Sequence, residues 1–184
     1  MSGRGRGKSG DRRRRISLSV VLATSLLVLF CDQCTKHIVL SRLSLGSTIP
    51  VLKDIFHITL VYNRGAAFGM LKDQPLLFII IGSAAAVAML FFMPRVLEKG
   101  LLTKLSFALV LGGVLGNLID RMISGHVIDF IDLRVWPVFN IADSAITVGI
   151  ALIVIKLLVS KKEPVSHHAL PFRASRSDVP ESKA

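Results

Sequence analysis

The sequence predicts an all-α membrane protein with four transmembrane helices and a small extracytoplasmic β element. Three observations carry this. Hydrophobic residues make up 52% of the 184 residues and charged ones only 19%, with mean hydropathy +0.61; a soluble domain of this size needs more polar surface. The apolar residues fall in four long runs. The positive charge, a net +11, is unevenly spread between the segments that join those runs.

The first 15 residues hold seven basic residues and end in Arg12-Arg13-Arg14-Arg15. The first run follows, Ile16 to Cys31. The second, Gln74 to Pro94, has no charge in 21 residues and alone meets the requirement of about 20 apolar residues for a span. Leu105 to Ile119 and Ile141 to Val159 complete the set, the last holding Asp143 near its start and Lys156 near its end. These runs reach spanning length when charged residues at their ends sit at the interface. Four spans place both termini on one side. The two termini and the Arg95–Lys104 connection carry 15 Lys and Arg, against seven in the Asp32–Asp73 and Asp120–Asn140 connections. Lys and Arg stay preferentially cytoplasmic, so the termini are expected inside and the two longer connections outside. The arginines then act as a topology signal; a nucleic-acid arm is the lesser reading. Residues 12–31 also resemble a cleavable signal peptide, but Phe30 before Cys31 is too bulky for a lipoprotein cleavage box.

Within 48–68, Phe56, Ile58, Leu60 and Tyr62 alternate with His57, Thr59 and Val61, the period of a strand with one buried face. An extended element at about 44–69, closed by an Arg64-Gly65 turn, is expected on the outer membrane surface, with His57 on its open face. The division expected is a basic cytoplasmic segment at 1–15, a four-span domain at 16–160 and a disordered tail at 161–184, rich in proline and charge. Cys31 and Cys34 are too few for a disulfide framework and read as small hydrophobes.

Ionisable residues in apolar surroundings are costly and mark function. Lys104 to Asp120 spans about 24 Å of helix and Asp143 to Lys156 about 20 Å, against a hydrocarbon core of about 30 Å. If the lysines mark the inner boundary, both carboxylates lie near the outer one. Asp32, Asn117 and Asn140 fall at the same level, and the 120–140 connection adds Asp129 and Asp132. Each has a structural reading. Asp32 and Lys36 have the spacing of a helical ion pair. Asn140 and Asp143 have that of an N-cap with an acid in the first turn. Asp120 at a helix C-terminus wants a cation, for which Arg121 is near. Gly112 and Gly116 have the spacing of close helix packing. His126 reads as an interfacial polar residue.

Asp129 is harder to dismiss, since Val127, Ile128, Phe130 and Ile131 surround it. Two carboxylates that approach closely cannot both ionise; one keeps a proton and the other a charge. That pairing suits an aspartic protease, with one group activating water and the other polarising the peptide carbonyl. Spacing alone does not choose Asp129 over Asp120 as the partner of Asp143. A proton-coupled transporter or channel subunit would also carry intramembrane Asp and Arg, but no internal repeat is present. A non-catalytic partner whose polar residues only join helices is the other alternative.

Five ordered blocks then stand out: Asp32-Gln33-Cys34-Thr35-Lys36; Asn63-Arg64-Gly65-Ala66-Ala67-Phe68-Gly69; Gly112 to Arg121; Val127-Ile128-Asp129-Phe130; and Phe139-Asn140-Ile141-Ala142-Asp143-Ser144. Over about residues 16–160 the chain resembles the lipoprotein signal peptidase family, signal peptidase II. The resemblance implies a bacterial inner-membrane aspartic endopeptidase that cuts prolipoproteins N-terminal to a diacylglyceryl-modified cysteine. It implies Asp129 and Asp143 as the catalytic pair, with Asp32, Lys36, Asn63, Gly65, Asn117, Asp120, Arg121 and Asn140 shaping the site or holding substrate. Membrane lipids are the expected surroundings and a monomer the expected state. No nucleic acid, metal or organic cofactor is expected.

Overall fold

The structure, a computed structural model, describes residues 5–65 and 74–160. The expected disordered tail at 161–184 and the Ala66–Gly69 part of the second block lie outside the described residues. Among the described residues, four helices and three strands follow in the order α1 (Gly5–Arg42), β1 (Thr48–Leu52), β2 (Phe56–Asn63), α2 (Pro75–Leu97), α3 (Leu101–Ser124), β3 (Val127–Asp132) and α4 (Ile141–Ser160). All four helices are long and apolar enough to cross a membrane.

The helix boundaries follow from local chemistry. Pro75 opens α2 at its first positions, where a missing N–H costs nothing. Gly125 ends α3 at φ 72°, the left-handed cap that glycine adopts without strain. The short Glu98–Gly100 link makes α2 and α3 antiparallel neighbours. α1 is longer than its apolar run. At 38 residues it spans about 57 Å, so the basic segment before Ile16 and the Asp32–Lys36 block belong to one continuous helix. The backbone passes residue 15, where the basic segment was expected to end, without a break.

α3 is the central helix and packs against the other three. Its glycines permit this. A Cβ on Gly112 would meet the Ser25 carbonyl oxygen at 2.7 Å, and one on Gly113 would collide with the Ala142 carbonyl. At one end Val21, Met93, Leu97, Phe107, Ala108 and Leu111 form a core. Elsewhere α2 and α4 turn large apolar side chains outward, including Ile80, Val87, Phe91, Ile155 and Leu158. An apolar surface of this extent belongs in lipid.

The strands form one antiparallel sheet in the order β1-β2-β3. Leu60, Ile128 and Phe130 pack with Val39 at the far end of α1. The alternation at 56–62 is realised only in part: Leu60 is buried with Ile58 and Tyr62 packed beside it, but the other face is not open. β3 is the element the sequence did not reveal. It is buried along nearly its whole length, so its apolar residues do not alternate. The strand element thus exceeds the expected 44–69 limits, because 127–132 joins it. His57 is not on an open face: it is buried, and its Nδ1 accepts a hydrogen bond from Arg134 Nε at 3.0 Å.

Candidate active site

Backbone pairing sets the site. After β3 the chain turns back, and Phe139 pairs with Ile131 through bonds of 2.7 and 3.1 Å. Asn140, the next residue, therefore lies against Asp129. The Asn140 side chain caps α4: its Oδ1 accepts from the Asp143 backbone N–H at 2.9 Å, and the Asp143 carboxylate accepts from the Asn140 N–H at 3.4 Å. This reciprocal cap fixes the Asp143 side chain in the first turn of α4, where the helix dipole favours negative charge. The Asn140 Nδ2 donates to Asp129 Oδ1 at 2.7 Å. One asparagine therefore holds both carboxyl groups. The capping reading of Asn140 and Asp143 and the catalytic one describe the same contacts.

Asp129 is 1% exposed. On the β2 face opposite the Leu60 cluster, Asn63 lies diagonally across the pairing from it, and Asn63 Nδ2 donates to Asp129 Oδ2 at 3.0 Å. The Asn63 amide is itself oriented by the Gly65 N–H, which donates to its Oδ1 at 3.0 Å, a turn that asparagine forms with its own backbone. Burial, and next the charge of Asp143, push the Asp129 carboxyl up to about 7, against the Asn63 and Asn140 hydrogen bonds. A carboxylic acid in this position keeps its proton at near-neutral pH. Asp132, three residues on, belongs elsewhere. Burial raises it, but hydrogen bonds from Thr59 and the Arg134 backbone, with the Arg134 charge, outweigh this and hold it low.

A second polar cluster adjoins the pair. Lys36 is buried, and its Nζ reaches Asp32 and Asp120, each at 2.7 Å. It also donates to Asn117 Oδ1 at 3.1 Å, which uses all three of its hydrogens. Asn117 Oδ1 accepts as well from Asn140, while Asn117 Nδ2 donates to Asp143 Oδ1 at 2.7 Å. Asp32 Oδ1 accepts the Ala142 N–H at 2.9 Å, satisfying a free donor in the first turn of α4. The cation of Asp120 is therefore Lys36 on α1, and not Arg121 as sequence proximity suggested. Gln33, to which the sequence reading gave no role, donates to Asp120 Oδ1 at 2.9 Å and to Asp32 Oδ2 at 3.2 Å. Its place in the first block was the available signal.

Arg121 turns to an open cleft. Its NH2 group donates to the Gly65 carbonyl at 3.4 Å, and its guanidinium lies 5.0 Å from the Phe78 ring centre. The cleft, about 380 Å³, is lined by Asn63, Gly65, Asn117, Arg121 and Asp143, with Trp136 to Phe139 and Ile146 as apolar wall. All ten residues singled out from the sequence thus lie in the two joined networks or the cleft beside them. The 136–139 wall was not foreseen. His126 stacks on Tyr62 with ring centres 4.0 Å apart, and the cysteines are free.

The chain matches, over residues 24–159, a family model described as Signal peptidase (SPase) II. It is 42% identical over 143 residues to a lipoprotein signal peptidase of Halothermothrix orenii, covering 78% of this chain and 98% of that one. It is 45% identical over 146 residues to a lipoprotein signal peptidase of Burkholderia mallei, covering 75% and 87%. A solved bacterial membrane enzyme superposes with a TM-score of 0.71 at 34% identity, over 78% of this chain and 92% of that chain.

Proposed function

The chain belongs to the signal peptidase (SPase) II family, and from that membership we propose that Asp129 and Asp143 are the carboxyl groups with which it hydrolyses its substrate. It is a multi-pass bacterial membrane peptidase that removes the signal peptide from prolipoproteins. The observation that carries the assignment is the Asn140 bridge. The asparagine donates to Asp129 at 2.7 Å and to Asp143 at 3.4 Å, while Lys36 is engaged by Asp32 and Asp120. The buried lysine beside the pair is thereby taken up by the other two carboxylates.

In the proposed reaction Asp143 is charged and Asp129 protonated. Asp143 takes a proton from water as the water oxygen attacks the scissile carbonyl carbon. The Asp129 proton passes to the carbonyl oxygen. The tetrahedral intermediate then collapses: the C–N bond breaks, the amine leaves with a proton from the Asp143 carboxyl, and Asp129 recovers its own from the intermediate's hydroxyl. Asn63, Asn117 and Asn140 hold the two carboxyl groups through this exchange, and Arg121 faces the peptide in the cleft.

The substrate's signal helix enters from the bilayer, and the diacylglyceryl group on its cysteine stays in lipid, which restricts the search for the scissile bond. The termini face the cytoplasm and the aspartates the outer interface, in line with the bias of Lys and Arg. The domain at 16–160 acts as a monomer. Asp129→Asn and Asp143→Asn, made separately, test the assignment through prolipoprotein conversion on gels. Each inserted variant is expected to lose roughly a thousandfold or more in rate. Near wild-type conversion by either would remove that residue from the mechanism.

A further inference from the structure

At the end of the helices remote from the aspartates, two cavities adjoin. One, of about 450 Å³, is lined by Arg13, Arg14, Ser17, Leu97, Glu98 and Lys104 among others. The second, of about 390 Å³, is walled by Leu18, Leu90, Met93, Pro94 and Leu97 and touched by Asp11, Arg14 and Arg15. Arg14 and Leu97 belong to both. The first is polar, with three cations facing one carboxylate. Lys104 Nζ donates to Ser17 Oγ at 2.5 Å, so the lysine, half-buried, is aimed inward. Asp11 is already engaged by Arg15 at 3.1 Å. The second is apolar beyond its charged mouth and opens between α1 and the lipid-facing side of α2, where Leu90 is 56% exposed. Pro94 there has no N–H for the Leu90 carbonyl.

A topology signal requires only that basic residues flank a span. It does not require them to wall a cavity that continues into an apolar slot. Ser17 and Asp32 lie about 22 Å apart along α1, so this end reaches the leaflet opposite the catalytic pair. We propose that the joined cavities bind an anionic phospholipid, its phosphate held by Arg13, Arg14 and Lys104 and one acyl chain laid along Leu18, Leu90 and Met93. Two features select this ligand. The charge balance of the polar cavity suits a phosphate diester, and the apolar slot continuous with it suits a hydrocarbon chain; a free phosphate would use only the first.

The test uses the full chain, purified in detergent, stripped of lipid and titrated with phosphatidylglycerol or phosphatidylcholine under native mass spectrometry. One equivalent of phosphatidylglycerol is expected to bind at least roughly tenfold more tightly than phosphatidylcholine. Removing two site cations in R14Q/K104Q should weaken it about thirtyfold. R12Q removes an adjacent charge that lines neither cavity, and should cost less than about twofold. R14Q alone, an exposed change that leaves the fold intact, should cost about fivefold, which keeps the test decisive if K104Q fails to fold. Equal losses for R12Q and R14Q would overturn the site in favour of diffuse attraction. Full displacement of the lipid by equimolar inorganic phosphate would overturn the lipid as its occupant.

Discussion

Asp129 gives the molecule a pH dependence of its own. Its carboxyl lies near 7 in the folded chain against 3.8 ordinarily, so the folded state binds more protons than the unfolded one between these values. Stability therefore falls as pH rises from about 4 through 7 and levels off above. The same proton is the one offered to the substrate carbonyl, so kcat/KM should fall with one proton's slope above pH about 7. A pH–rate profile checks this. Asp129→Asn removes the cost of ionising a desolvated group. The inactive variant should melt higher than wild type at pH 8, by a difference on the order of a few kcal/mol, and similarly to it at pH 5. Asn140 permits a cleaner separation of roles. Serine caps a helix about as well as asparagine but cannot reach Asp129. Asn140→Ser should keep the melting temperature within a few degrees while kcat drops about tenfold or more, with KM little changed. A parallel loss of stability would make Asn140 structural only.

At the scale of elements, α3 holds the site together because glycine lets its neighbours close in. A Cβ on Gly113 would collide with the Ala142 carbonyl and one on Gly116 would meet Asp32 Oδ2 at 2.6 Å, so the first turn of α4 and the acidic side of α1 both rest on bare backbone. Gly113→Ala must push α4 away, at an expected cost of about 1–3 kcal/mol, seen as a lower melting temperature in detergent. The shift would also carry Asp143 away from Asn117, and activity should fall with it. The glycine spacing was legible in the sequence as close packing, but the partners were not. β3 was illegible for a related reason. A strand buried on both faces shows no alternation, and a pair of acids within it reads as a loop. Its pairing with β2 depends on residues more than 60 positions away. The 136–139 wall is likewise placed by contacts across the fold, through the segment that joins it to β3. Arg134, at φ 65°, is held there by Asp132 and His57, a histidine whose place in the strand pattern marked it only as an open-face residue.

For the whole molecule the decisive feature is a buried polar network that ties α1, α3, β3 and α4 into one unit. Lys36 balances Asp32 and Asp120 at its centre. Lys36→Met should strand two buried carboxylates and cost about 3–5 kcal/mol. Adding Asp32→Asn and Asp120→Asn should recover much of that stability, measured by thermal unfolding in detergent, while conversion stays impaired because Asn117 has lost its anchor. Failure of the triple variant to recover would mean that the cluster does not act through charge balance. The sequence by itself determined the membrane class, the four spans, the expected side of each connection and the residues of the five blocks. The first three are local, since apolar length and the bias of Lys and Arg can be summed along the chain, and the blocks were legible through their resemblance to a family. Only the tertiary structure decided which residues meet: Lys36 with Asp120, Asp32 with the start of α4 across 110 positions, and Asn140 with Asp129 as well as Asp143. Pairing of buried charges depends on which surfaces exclude water together, and separation along the chain does not encode that.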